Sequence, residues 1–174
     1  MLNLLRDYHK LAQRGFRLVD SKDLTQVIEI AGKLDEFAVV YVDDFAGTGN
    51  QFVEARNFLV EFLSSKISEF FLLPVICEEA EQRISQLGVV PVYSFVHTRD
   101  QRPLHPNNSN LSEREKMKFL DYSTQIGGKF GLGYGDAATM VIFYRNAPNS
   151  TPLIFRGKKK QAGWIGILPR FDDL

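Results

Sequence analysis

Cysteine is nearly absent from this chain, and so is any excess of charge. Cys77 is the only cysteine, which excludes an internal disulfide and a cysteine-rich zinc site. The 21 Lys and Arg residues balance 21 Asp and Glu residues, so no net charge favours binding to nucleic acid or to an anionic membrane. No apolar run approaches the ~20 residues of a membrane span, and "MLNLLRDYHK" lacks the apolar core of a signal peptide. We therefore expect a cytosolic protein with no membrane partner.

Several catalytic patterns are missing as well. The three histidines show no metal-ligand spacing. No G-x-S-x-G occurs, and no histidine is paired with Cys77 in a recognisable pattern. A P-loop needs a lysine after its glycines and a dinucleotide fingerprint needs a third glycine, whereas "GTGNQF" (47–52) has neither. Covalent hydrolase, P-loop and dinucleotide-binding functions are therefore unsupported.

Short apolar runs alternate with segments of helical periodicity over the first hundred residues. Strands are predicted at 37–42, 69–77 and 89–98, and helices at 2–15, 20–34, 51–66 and 78–88. Short links between strand and helix imply parallel strands joined by right-handed crossovers. The predicted fold class is α/β, a mainly parallel sheet with flanking helices, in one domain. The run "FAVVYV" (37–42) is apolar without alternation, which predicts a strand covered on both faces.

Downstream, this regular alternation ends. The segment "RDQRPLHPNNSN" (99–110) is a polar loop and a candidate lid. Ser112 and Glu115 form a capping box at the start of a helix. The segment "GGKFGLGYGD" (127–136) has five glycines in ten residues and is predicted to be irregular, whereas "AATMVIFYRN" (137–146) predicts another strand.

Two carboxylates and a glycine-rich turn follow the 37–42 strand in "VVYVDDFAGTGNQF" (39–52). Ligands of open α/β sheets bind at the carboxyl ends of strands, next to helix N-termini. The N–H groups of "GTGNQ" (47–51) enter a helix without intrahelical acceptors and can bind a phosphate. Asp43 and Asp44 lie roughly 5–8 Å back along the chain, where they can accept hydrogen bonds from vicinal hydroxyls or bind Mg²⁺. The pattern therefore predicts a ribose 5-phosphate site, and the alternative is an ordinary Asp-Gly turn.

This segment resembles the ribose-phosphate signature of type I phosphoribosyltransferases. The resemblance implies that Asp43 and Asp44 are the catalytic and metal-binding pair, which holds the ribose 2- and 3-hydroxyls of phosphoribosyl pyrophosphate with Mg²⁺ as cofactor. The implied 5-phosphate loop consists of Gly47, Thr48, Gly49, Asn50 and Gln51. Gln51 departs from the family pattern, which usually has Thr at this position.

A second stretch, "GLGYGDAATM" (131–140), resembles the region where purine-salvage phosphoribosyltransferases contact the base. The resemblance implies that Tyr134 stacks on a base and that Asp136 accepts from its N–H groups; the alternative is a turn in which Asp136 caps the next element. The polar segment "NAPNST" (146–151) leaves two interpretations open, a phosphate or sugar site and a structured turn.

Together with "WIGILPR" (164–170), these motifs are most similar to divergent phosphoribosyltransferase-like proteins of bacterial conflict and anti-phage loci. The wider family carries its pyrophosphate loop and its catalytic loop before the ribose-phosphate motif. Here the 38 residues before Val39 predict two helices instead. The prediction is a single phosphoribosyltransferase-like domain over 1–174 that lacks the family's usual N-terminal part, with the C-terminal part of a longer protein as one interpretation.

Two functions from different classes follow from the resemblance. The first is phosphoribosyl transfer to a base, with pyrophosphate displaced from C1 of the donor. The second is a catalytically inactive sensor or assembly subunit of a bacterial defence system, which binds a nucleotide and contacts a protein partner or a second copy. Release of pyrophosphate distinguishes the two. The acceptor base is not predicted by any pattern in the chain.

Overall fold

The computed structural model describes residues 11–17, 19, 23–33, 37–62, 67–143, 147–159 and 164–168. The α-helices among them are α1 (Leu24–Ala31), α2 (Asn50–Val60), α3 (Glu78–Gln86), α4 (Glu113–Gly127) and α5 (Leu153–Arg156). The strands are β1 (Ala38–Val42), β2 (Phe45–Ala46), β3 (Ser68–Cys77), β4 (Val90–His97), β5 (Lys158–Lys159) and β6 (Trp164–Ile165). Short 3₁₀ turns lie at Leu11–Arg14, Arg99–Gln101, Gly128–Phe130 and Tyr134–Asp136.

The main sheet is parallel, and its central strand is β3. Strands β1 and β2 both pair with one edge of β3, and β4 pairs with the other edge. Val42 pairs with Leu72 and Phe45 pairs with Val75, so the register is the same before and after Asp43 and Asp44. The predicted α/β class with a parallel sheet and flanking helices is thus confirmed. A separate antiparallel hairpin joins β5 to β6.

Helices α2 and α3 pack on one face of this sheet because each connects two parallel strands in the same direction. Phe52 of α2 stacks on Phe71 of β3 with ring centroids 4.4 Å apart, and it meets the edge of Tyr41 of β1 at 5.0 Å. Ala80 and Ile84 of α3 are fully buried in the same cluster. Burial of these apolar side chains on one face fixes the two helices, and with them the turn that precedes α2.

The opposite face of the sheet is exposed, which corrects the prediction that both faces are covered. Two rows of paired residues cross this face, Val40–Phe70–Val90 and Val42–Leu72–Val92. Apart from half-buried Phe70, their side chains are between 37% and 51% exposed. A run of β-branched residues predicts a strand well, but it does not show which other segments cover that strand.

Other elements differ from the predictions in detail. Helix α1 begins after Asp23, whose side chain accepts a hydrogen bond from the Gln26 N–H at 3.1 Å. In α2, Phe52 and Leu59 are buried, whereas Ala55 and Phe62 are exposed. The first predicted helix is described only from residue 11, where it is a 3₁₀ turn, and its earlier residues lie outside the described part.

The strand predicted at 137–146 is wrong over the residues that the structure describes. Residues 137–141 form an irregular, largely buried segment, Ile142 is exposed, and only Phe143 of the described residues makes an isolated bridge. Ala138 has a positive φ of 45°, and the N–H of Met140 donates to Nε2 of His97 at 3.4 Å. Bonds of this kind replace a strand ladder. The capping box of Ser112 and Glu115 at α4 is confirmed.

The polar loop 99–110 is folded against α3 and α4. Arg102 forms an ion pair with Glu79, and Lys116 donates to the carbonyl oxygen of Pro106 at 3.3 Å. Among the helices that the structure describes, none is long and apolar enough to cross a membrane.

Candidate functional site

The two acidic residues occupy the interruption between β1 and β2. The N–H of Asp43 still donates to the carbonyl oxygen of Leu72 at 3.2 Å, and the N–H of Asp44 donates to Oδ1 of Asp43 at 2.8 Å. Asp43 is exposed and Asp44 is half-buried. The pair therefore lies at the carboxyl end of β1, as the sequence predicted, and the Asp43 backbone is still bonded to β3.

The glycine-rich turn leads directly into α2. Gly49 is the N-cap residue, with a left-handed backbone (φ 76°) and no side chain to cap the helix. Its carbonyl oxygen accepts the first intrahelical bond, from Val53 at 3.0 Å, and Oγ1 of Thr48 is 3.4 Å from the N–H of Asn50. The first-turn N–H groups that follow point out of the helix end without intrahelical acceptors. This turn presents the donors that an anion needs.

The acidic pair and the 47–51 turn form one wall of the site, and two later segments, the glycine-rich loop around Tyr134 and the 148–150 turn, form a second wall. A Cβ added at Gly135 would lie 3.2 Å from Cγ2 of Thr48, and one at Gly47 would lie 3.5 Å from Oγ of Ser150. The N–H of Tyr134 donates to the carbonyl oxygen of Asn149 at 2.9 Å. The glycine-rich loop and the 148–150 turn are thus bonded to each other and pressed against the phosphate-loop residues.

Together the two walls enclose a cavity of about 210 Å³. Its polar lining is formed by Asp43, Asp44, Gly47, Thr48, Gly49, Asn50, Gln51, Tyr134, Asn149 and Ser150. All predicted site residues except Asp136 line it. Asp136 is exposed, with φ at 51°, and its N–H donates to the carbonyl oxygen of Gly133 at 3.3 Å. Asp136 therefore lies in a backbone turn outside the lining, and its contact with a base stays a prediction.

Sequence reasoning left the role of 148–150 undecided. Pro148, Asn149 and Ser150 line the same cavity as the acidic pair, although they follow it by about a hundred residues in the sequence. Hydroxyl Oγ of Ser150 lies 2.7 Å from Oγ1 of Thr139, and Thr151 donates to the carbonyl oxygen of Val141 at 3.0 Å. The polar composition of "NAPNST" was the only signal of this 148–150 segment, and it is equally typical of a turn.

The electrostatics of the acidic pair disfavour two full negative charges. Crowding of the Asp43 carboxyl by neighbouring atoms removes part of its hydration, and this raises the pKa of Asp43 to about 6. The hydrogen bond and the charge repulsion with the Asp44 carboxylate contribute to this rise, and the N–H of Asp44 opposes it. Because Asp43 remains exposed overall, solvent screens part of this interaction. A cation or hydroxyl donors at this point would favour the ionised form.

The donor set fits Mg²⁺ only as an ion shared with a ligand. No group of three or more His, Cys, Asp or Glu residues is arranged for a metal within the described ranges, so a cage made by protein alone is not present there. Mg²⁺ commonly takes one or two carboxylates together with water and substrate oxygens. Asp43 and Asp44 supply two such carboxylates beside the cavity.

Comparison with known proteins adds one finding. The model of a phosphoribosyltransferase-type family, PRTase-CE, matches residues 1–170 of this chain. Among curated proteins and among solved structures, none matches it. The matched region contains the acidic pair, the glycine-rich turn and both segments of the second wall.

Proposed function

Because the chain belongs to the PRTase-CE family, which is of the phosphoribosyltransferase type, we propose that its cavity binds a ribose 5-phosphate moiety. The moiety would come from phosphoribosyl pyrophosphate or from a nucleotide. One observation carries this proposal: the acidic pair and the 47–51 turn line the same cavity, at opposite ends of one short loop. An anion site at one end of this loop and a diol site at the other suit the two ends of a ribose 5-phosphate.

The size of the cavity supports a sugar phosphate as the enclosed part of the ligand. Pockets that bury a whole drug-sized ligand occupy roughly 300–1,000 Å³, whereas this one has about 210 Å³. A base attached at C1 would therefore extend beyond the enclosed volume. Tyr134 lines the cavity and is 44% exposed, which leaves its ring accessible for stacking on that base.

Each end of the ligand has its own group of residues in this proposal. Asp43 and Asp44 accept hydrogen bonds from the ribose hydroxyls, and they would hold Mg²⁺ between the protein and the ligand. Bound Mg²⁺ would neutralise charge on the leaving pyrophosphate. Thr48, Asn50 and Gln51 add side-chain donors to the N–H groups of the 47–51 turn. Binding far from C1 would orient the reacting bond.

Whether the chain also transfers the phosphoribosyl group is the second part of the proposal. The reaction would break the C1–O bond to pyrophosphate and form a C1–N bond to the base, with positive charge developing on the ribose and the proton of the base nitrogen passing to solvent. Catalysis would require the pyrophosphate to be enclosed, because water screens exposed charges. The volume that the described residues line suits ribose phosphate alone, which favours binding without turnover. A nucleotide-binding sensor or assembly subunit, with a second copy or a protein as partner, is then the alternative function.

Calorimetry with ribose 5-phosphate and Mg²⁺, combined with a pyrophosphate-release assay across a panel of bases, tests both parts. We expect ribose 5-phosphate to bind, and we expect the double variant Asp43→Asn/Asp44→Asn to lose this binding while it stays folded. Asp136→Asn is the matched control, since Asp136 lies outside the cavity lining. Equal binding by the double variant would contradict the ribose site. Robust pyrophosphate release with any one base would establish the enzyme in place of the sensor.

A further inference from the structure

Helix α3, which connects β3 to β4, packs against the 47–51 turn. Gly49 is buried, and a Cβ added there would lie 3.4 Å from Cα of Ala80 and 3.6 Å from Cδ of Arg83. One turn of α3 therefore packs directly on the residue that caps α2. Arg83, in the last turn of α3, brings a positive charge beside the proposed phosphate position.

Arg83 makes a specific contact there, because its Nη1 donates a hydrogen bond to Oδ1 of Asn50. Asn50 lines the cavity, and Arg83 stands behind it, outside the lining. A guanidinium group has donors only, so it can pair with the oxygen of the Asn50 amide and not with its nitrogen. The contact therefore favours the amide orientation in which the NH₂ group is left as the donor for other partners.

We propose that Arg83 is a positioning residue for the phosphate, which acts by holding Asn50 with its NH₂ group available to the anion. This inference rests on the proposed function, since it assumes a phosphate in the 47–51 turn. The positive charge of Arg83 also polarises the Asn50 amide and makes its N–H groups stronger donors. Without Arg83, the Asn50 side chain can rotate and present its oxygen to the phosphate, which repels it.

Replacement of Arg83 should lower the affinity for phosphate without changing the stability of the fold. Arg83 is exposed, so its replacement leaves no buried charge behind. Loss of one oriented donor next to an anion corresponds to roughly a 5- to 20-fold weaker affinity. The loss should be similar for inorganic phosphate and for ribose 5-phosphate, because both present the same group to Asn50.

Calorimetric titration of the full chain with ribose 5-phosphate and Mg²⁺, and separately with inorganic phosphate, tests this inference. We expect Arg83→Gln to weaken both ligands by that factor, and Arg83→Lys to recover part of the affinity because lysine can also donate to Oδ1 of Asn50. Arg114→Gln is the matched control. It removes the same charge from an exposed position in α4, and its affinities should equal those of the unmodified chain.

A double-mutant cycle separates the positioning role from a direct charge effect. If Arg83 acts through Asn50, then Arg83→Gln should add little to the loss already caused by Asn50→Ala. Equal losses from Arg83→Gln in both backgrounds would overturn the positioning role, and affinities equal to those of Arg114→Gln would overturn any role at the site. Failure of the unmodified chain to bind ribose 5-phosphate would instead overturn the proposed function itself, so the two failures are distinguishable.

Discussion

Asp43 places a titratable carboxyl group where the proposed ribose hydroxyls and Mg²⁺ would bind. Its pKa is raised from 3.8 to about 6, and the largest cause is the loss of hydration around the carboxyl group. The folded protein therefore holds a proton that the unfolded chain releases between these values. Stability contributed by this group is present below pH 3.8 and is lost as the pH rises through 6. Asp43→Asn should accordingly stabilise the free protein above pH 6 and have little effect below pH 4.

Ligand binding should show the opposite dependence on pH. Mg²⁺ and ribose hydroxyls both prefer the ionised carboxylate, so binding must displace the proton that Asp43 holds below pH 6. From pH 5 to pH 7 the ionised fraction rises about tenfold, and we expect the affinity for ribose 5-phosphate with Mg²⁺ to rise by about the same factor. Calorimetry in two buffers of different ionisation enthalpy would measure the released proton. An affinity that is flat across this range would contradict the assignment of Asp43 to the site.

Gly49 and Gly88 form a natural pair for testing the phosphate turn. Both have left-handed backbones, with φ at 76° and 78°, so alanine at either position should cost about 1–2 kcal/mol of folding free energy. Gly88 has no neighbour within 4 Å of an added Cβ and lies outside the cavity lining. We therefore expect similar stability losses by chemical denaturation, and a loss of ribose 5-phosphate binding only in Gly49→Ala. Equal binding by both variants would argue against an anion in the turn.

At the scale of elements, an ion pair fixes α2 to the sheet beneath the site. Arg56 donates to both carboxylate oxygens of Glu69, at 2.9 and 2.6 Å, and the hydroxyl of Tyr41 donates to the same carboxylate at 2.8 Å. The two charged side chains are each 12% exposed. Burial alone would raise the pKa of Glu69, but hydrogen bonds from Arg56 and Tyr41 outweigh it and hold the pKa below its ordinary value. Burial, followed by the Glu69 contact, raises the pKa of Tyr41.

Arg56→Gln should therefore destabilise the fold by about 3 kcal/mol at neutral pH, because it leaves the Glu69 carboxylate buried without its cation. Because folding lowers the pKa of Glu69 below 4.5, the ion pair stabilises the fold fully above pH 4.5. This stabilisation is lost as the pH falls through the pKa of Glu69 in the folded protein. The difference between the variant and the unmodified chain should thus shrink below pH 4.5.

The exposed pair Lys33–Glu29 provides the control for this measurement. Both side chains are 63% exposed, and Lys33→Gln should cost less than about 0.5 kcal/mol in chemical denaturation at the same pH. Similar losses for Arg56→Gln and Lys33→Gln would show that the Arg56–Glu69 pair is solvated in solution.

The sequence predicted elements well where one local signal decides the structure. Hydrophobic periodicity placed β1, β3, β4 and the helices between them, and the capping box placed the start of α4. The acidic pair and the 47–51 turn were predictable because they are contiguous. The 137–146 segment was mispredicted because part of its apolar run is buried in irregular backbone, held by bonds such as that from the Met140 N–H to His97. An irregular buried segment of this kind has the same composition as a strand. The contact of the second wall with the 47–51 turn joins residues about a hundred positions apart, which no local pattern contains.

On the scale of the whole molecule, the sheet has two different faces. Helices α2 and α3 bury the face that carries Tyr41 and Phe71. The other face carries the rows Val40–Phe70–Val90 and Val42–Leu72–Val92. Parallel sheets are normally covered on both faces, and exposed contiguous apolar patches on soluble proteins commonly mark contact sites. The location of the proposed ligand site at the strand ends leaves this face available for another role.

We expect this face to mediate association between two copies of the chain. Neither row contains a charged residue, so a copy related by twofold symmetry meets the face without opposing like charges. Sedimentation velocity over a range of protein concentrations should show a monomer–dimer equilibrium, and Leu72→Glu should shift it strongly to monomer, because pairing would then bury two carboxylates without partners. Met117→Glu is the control, since Met117 lies on α4 and is 60% exposed. A chain that stays monomeric at all concentrations, or a dimer that Leu72→Glu does not weaken, would contradict association through this face.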